Sequence, residues 1–86
     1  MQHVAKINGE PATLAETVDH ILGNSRPFGP DHGVAWASGQ GGDYPLWDEP
    51  RPVDWEEIKT LVAEMVTDLG TDADWYDWSV SITDVD

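Results

Sequence analysis

Between Asp54 and Gly70 the apolar residues Trp55, Ile58, Leu61, Val62, Met65, Val66 and Leu69 recur at three- and four-residue spacing. That is the period of a helix with one apolar face, and such a face needs a second layer to cover it. Both ends carry stop signals. Asp54 stands at the N-cap with Glu57 three residues on, and Gly70 occupies the C′ position. Whatever else the chain does, it must build a layer against this stripe.

The rest of the sequence supplies the material. His3 to Ile7 reads as a short strand ending at Asn8-Gly9, a dipeptide suited to a turn with positive φ. Glu10-Pro11 then leads into a helix. Thr13 and Glu16 fit a capping box, Leu14, Val18, Ile21 and Leu22 share a face, and Gly23-Asn24 is the expected stop. Val34 to Ser38 and Asp43 to Trp47 flank Gly39-Gln40-Gly41-Gly42, the pattern of a hairpin with a four-residue glycine-rich loop. Pro45 places the second of these strands at a sheet edge. Alternation of Trp78, Val80 and Ile82 with polar neighbours predicts a last strand buried on one face. The order β-α-β-β-α-β predicts an α+β fold. The expectation is a ferredoxin-like four-stranded antiparallel sheet with two helices on one face, in a single small acidic domain over residues 1–86.

Eighty-six residues without cysteine have no disulfide and no thiolate metal site to draw on, so folding rests on apolar burial, five tryptophans included. Charge is distributed unevenly. Four acids and two bases lie before Asp43; from Asp43 onward thirteen acids face only Arg51 and Lys59. The net charge of -13 works against a compact state through self-repulsion, and it opposes direct contact with nucleic acid or anionic lipid. No apolar run approaches the roughly 20 residues of a membrane span, and Met1 to Lys6 lacks the basic and apolar regions of a signal peptide. The expected location is cytoplasmic.

The acids after Asp54 are the candidate site. Glu64 and Asp68 lie four residues apart with the same sign, and Asp68 sits at the negative end of the helix dipole, where a cation would stabilise. Glu57, Glu64, Asp68, Asp72, Asp74 and Asp77 are expected to form an anionic ridge. A plain solvated face explains such a run about as well. Trp75, Tyr76 and Trp78 crowd the start of the last strand. Trp78 points inward by alternation and Trp75 and Tyr76 cannot both follow it, so at least one is expected to be exposed; the spare ring either packs under the long loop or anchors a partner beside the carboxylates, with Trp75 as the candidate anchor.

Other chemistry finds little footing. Asp72 to Asp77 begins like a calcium loop, yet Asp77 stands where the sharp-turn glycine belongs and Thr83 where the closing Glu is needed. His3, His20 and His32 have no ligand spacing, Asp31-His32 reads as turn chemistry, and Gly39 to Gly42 lacks the Lys and Ser/Thr of a phosphate-binding loop. No catalysis, metal or cofactor is expected. A ligand pocket would need Trp36, Trp47 or Phe28 as lining, and no spacing argues for one.

Val4 to Leu22, with Ile7-Asn8-Gly9-Glu10 and the helix after it, resembles the opening of the barstar family, acidic inhibitors of a secreted ribonuclease; the likeness covers about a fifth of the chain. From Gly23 onward the sequence departs from that family and lacks its acidic recognition helix, so no residue role carries over. What the resemblance implies is a shared logic, an acidic face closing a basic catalytic groove. In size and charge the chain is also similar to DNA-mimic inhibitors. The expected function is therefore a non-enzymatic, DNA-mimic or immunity-type inhibitor that blocks a basic nucleic-acid-binding partner such as a nuclease. Its oligomeric state is not legible from sequence. The alternative is a salt-adapted structural or accessory subunit, since eleven Asp and two Lys suit a saline host equally well.

Overall fold

The computed structural model describes residues 2–25 and 29–84. It opens on a hairpin in which β1 (Ala5–Ile7) pairs antiparallel with β2 (Glu10–Ala12), Ala5 opposite Ala12 and Ile7 opposite Glu10. Asn8 and Gly9 both take positive φ, 55° and 82°, as a two-residue turn between twisted strands requires. Glu10-Pro11 thus ends a hairpin before any helix starts. α1 (Leu14–Ser25) is capped reciprocally: the Thr13 N–H donates to Glu16 Oε1 at 3.0 Å, and the Glu16 N–H donates to Thr13 Oγ1 at 3.2 Å. The helix continues past Gly23-Asn24 because its last turn is held by tertiary partners. Asn24 Nδ2 donates to the Trp78 carbonyl at 3.1 Å, and Ser25 Oγ accepts the Val80 N–H.

The hub of the main sheet is β3 (His32–Gly39), and three strands pair with it, all antiparallel. These are β4 (Gly42–Pro45) against Trp36–Gly39, β5 (Arg51–Pro52) against His32 and Gly33, and β6 (Ser79–Thr83) against Val34–Ser38. Gln40 and Gly41, φ 50° and 79°, close the β3–β4 hairpin in two residues, so Gly39 and Gly42 belong to the strands. Gly39 serves a second purpose. A Cβ there would lie 2.7 Å from the Trp78 ring, which makes glycine the residue that lets the indole cross the strand.

Two helices and a four-stranded antiparallel sheet are present as expected from sequence, but the ferredoxin-like order is not reproduced among the described residues. That order needs the N-terminal strand inside the sheet. Here β1 pairs with β2, reaches Asp74 through a parallel bridge from Lys6, and buries Ala5 in the core. The tight Asn8-Gly9 turn gives β1 a partner close in sequence.

α2 (Trp55–Leu69) follows the sequence reading closely. Asp54 Oδ1 accepts from the N–H groups of Glu56 and Glu57 at 3.0 and 3.4 Å, and Gly70, at φ 69°, donates its N–H to the Val66 carbonyl. A 3₁₀ turn, Gly70–Asp72, comes next. Ile58, Val62 and Val66 are fully buried and meet Val18 and Ile21 of α1, Ala35 and Ala37 of β3, and Val80 of β6 in one core. Each of the larger aliphatic side chains contributes about 1.5–3 kcal/mol by leaving water. No helix among the described residues is long and apolar enough to cross a membrane.

Candidate functional site

The six carboxylates of the expected ridge divide into two groups. Glu57 is half-buried, and its Oε1 accepts from Arg51 at 2.6 Å, the only ion pair among the described residues. Arg51 also lies over the Trp47 ring, 4.1 Å from its centre, while the Trp47 indole N–H donates to the Gly33 carbonyl at 2.9 Å. Glu57 is therefore part of a clamp on the 47–51 segment. The pair is exposed enough to be worth only about 0–1 kcal/mol, so its role is to fix Arg51 more than to add stability.

Asp74 and Asp77 are likewise occupied. The Asp74 carboxylate accepts the N–H groups of Asn8 (2.7 Å), Gly9 and Tyr76 (3.2 Å), so it caps the first hairpin turn from 66 residues away in sequence. Asp77 accepts the Gln40 N–H at 3.1 Å, and the Gln40 side-chain amide donates to the Asp74 carbonyl. With the Trp75 N–H donating to the Lys6 carbonyl, residues 74–77 form a strap that ties both hairpin turns together. The isolated donors of two tight turns need acceptors, and these two aspartates supply them.

That leaves Glu64, Asp68 and Asp72. All three are exposed, and none has a hydrogen bond or ion pair among the described residues. Glu64 and Asp68 form a crest on α2 between two shallow apolar grooves. One is lined by Tyr44, Pro45, Leu46, Leu61, Met65 and Leu69, and the other by Leu14, Thr60, Ala63 and Thr67. Asp72 follows in the 3₁₀ turn. The last turn of α2 contains no basic residue to offset the helix dipole.

The aromatic expectation needs correction. Trp75 is completely buried, its ring 4.8 Å from that of Trp78, so it is a core residue. Residues 73–78 are a bent strap and not a strand, and alternation therefore does not govern them. The exposed aromatic of this segment is Tyr76, 52% accessible; Tyr44, 43% accessible, stacks at 5.5 Å on Trp78. Of the tryptophans considered as pocket lining, Trp47 is buried and hydrogen-bonded, and Trp36 is half-buried beside Ser38, Asp43, Ser81 and Thr83 on a shallow face of the sheet. Phe28 lies outside the described residues.

Leu69, expected within the apolar stripe of α2, and Tyr44, expected within an edge strand, are both exposed and line the groove, a role the sequence pattern does not assign to them. A signal was present: Leu61, Met65 and Leu69 form a flank of the α2 stripe, and Pro45 marks an edge strand that nothing follows. Among the described residues no group of three or more His, Asp or Glu is arranged to hold a metal ion. The pKa of Glu16 lies below its ordinary value. The Thr13 backbone N–H, then the Thr13 hydroxyl and the charge of His3, hold it low, which belongs to the helix cap. No family model, curated protein or solved structure matches the chain.

Proposed function

We propose that the protein is a non-enzymatic inhibitor, of DNA-mimic or immunity type, whose α2 crest meets a cationic groove on a nucleic-acid-acting partner. One observation carries this reading. Glu64, Asp68 and Asp72 are exposed, lie within nine residues of one another and accept no hydrogen bond among the described residues, whereas Glu57, Asp74 and Asp77 do. The fold gains nothing from the first three, and like charges four residues apart cost it a few tenths of a kcal/mol. Carboxylates kept at such a cost match the chemistry of Lys and Arg on another surface, and a chain of net charge -13 steers that encounter from a distance.

The binding surface in this reading is narrower than the whole acidic half: Glu64, Asp68 and Asp72, with Asp74, Asp77 and Glu57 holding the scaffold. The test is capture of partners on the immobilised protein at low salt, release by added salt, and assay of the captured protein's action on nucleic acid with and without the inhibitor. A basic nuclease or DNA-binding protein, released by salt and blocked in activity, is the expected result. Capture of neutral proteins insensitive to salt, or of a basic protein whose activity is unchanged, refutes it. Thermal melts against salt separate the alternative, since a salt-adapted subunit unfolds in dilute buffer and the proposed inhibitor is folded there.

A further inference from the structure

Beside the acidic crest lies the apolar groove between β4 and α2, of about 340 Å³. Two of the three large apolar side chains left exposed among the described residues, Tyr44 and Leu69 (39% accessible), are in it. Single exposed apolar residues are ordinary, but here they adjoin Pro45, Leu46, Leu61 and Met65 in one continuous surface. Such a surface is a place where another chain can be covered or can cover.

Its chemistry selects among occupants. A second copy would bring Glu64 and Asp68 against their own symmetry mates, on molecules that each carry a charge of -13. An added β-strand would have to pair with β4, which is four residues long and contains Pro45, so one ladder donor is missing. A helix has neither difficulty. Leu61, Met65 and Leu69 repeat every four residues along α2, a ridge of the kind that seats between the side chains of a second helix, and they climb about 12 Å over two turns.

We infer that this groove binds a cationic amphipathic helix of the partner protein. Apolar side chains two turns apart on that helix fill the space between Tyr44 and the Leu61–Met65–Leu69 ridge, and flanking Lys or Arg residues pair with Glu64 and Asp68. The inference rests on the acidic-crest reading and adds to it an apolar anchor, which gives the complex its register where charge alone would give only attraction.

Three synthetic peptides of equal length, titrated into the full-length protein, test it. The first places Leu at helical spacing on one face and Lys on the other. The second scrambles the same residues, and the third keeps the Leu face but replaces Lys with Glu. The expected result is that the first binds at least about tenfold tighter than the second, and that the third does not bind. The double variant Tyr44→Ser, Leu69→Ser, its fold verified by melting, should erase the preference for the first over the second while leaving weak, salt-sensitive binding to both. Equal affinity for the first and second peptides, no binding of the first, or an undiminished preference in the double variant overturns the groove. Tight binding of the third peptide keeps the groove and sinks the acidic crest, so the two failures are distinguishable.

Discussion

Replacing Asp68 by Lys should make the protein more stable, and the size of the gain follows from three local terms. Glu64 and Asp68 are four residues apart on one helix, and relieving their repulsion returns about 0.2–0.5 kcal/mol. Glu64 then precedes a Lys by four residues, the favourable orientation, for a similar amount. A cation in the last turn of α2, which has no base of its own, adds about 0.3–1 kcal/mol against the helix dipole. Together these amount to about 1 kcal/mol or somewhat more, and for a domain of this size each 1 kcal/mol moves the melting temperature by about 4–8 °C. Calorimetry of wild type, Asp68→Asn and Asp68→Lys in dilute buffer should give melting temperatures rising in that order. The differences should shrink in molar salt, where the screening length falls to about 3 Å. An Asp68→Lys variant that melts at or below wild type in dilute buffer would show that the fold uses Asp68. Asp68 would then be a residue of the fold and not one kept for a partner.

Three further outcomes test which residues build the fold. Asp74→Ala strands the Asn8, Gly9 and Tyr76 N–H groups and should cost about 1.5–3 kcal/mol in denaturant melts, with faster amide exchange at Asn8 and Gly9; Asp72→Ala should stay within about 0.5 kcal/mol of wild type. Gly39→Ala drives a methyl group into the Trp78 ring and should destabilise by about 1–3 kcal/mol, visible as a lower denaturant midpoint and altered tryptophan fluorescence. The folded pKa of Glu16 lies below its ordinary 4.5, so its stabilisation is fully present above that value and is lost as pH falls through the lower, folded one. The stability gap between wild type and Glu16→Gln should accordingly be constant near neutrality and close below pH 4.5, and a gap that widens on acidification would contradict the cap.

What sequence could and could not announce divides along physical lines. α2 was legible in full because its signals are local: a repeating apolar stripe, an acceptor at Asp54, a left-handed glycine at Gly70. The Asn8-Gly9 turn was legible for the same reason, but β2 was not, since three residues containing a proline carry no strand pattern. The place of β1 outside the main sheet depends on competition between a near partner and a distant one, and no spacing encodes its result. The acids show the same boundary. Charge and periodicity place Glu64 and Asp68 on the outer side of the helix, and both are exposed with no hydrogen bond or ion pair among the described residues. They gave no hint that Asp74 and Asp77 serve turns 37 or more residues away in sequence, or that Arg51 reaches Glu57 across the end of α2. Of Trp75 and Tyr76, one is exposed as alternation requires, but it is Tyr76, because the bend of a strap that is not a strand decides which ring turns inward.

The most direct measurement is the affinity for the captured basic partner, as a function of salt, of wild type and of the Glu64→Lys, Asp68→Lys, Asp72→Lys triple variant. The account predicts that wild-type affinity falls steeply as salt rises, and that the variant, folded and at least as stable, does not bind at any salt concentration. A folded variant that binds with wild-type affinity would contradict it, and these three carboxylates would then be a solvated surface and nothing more.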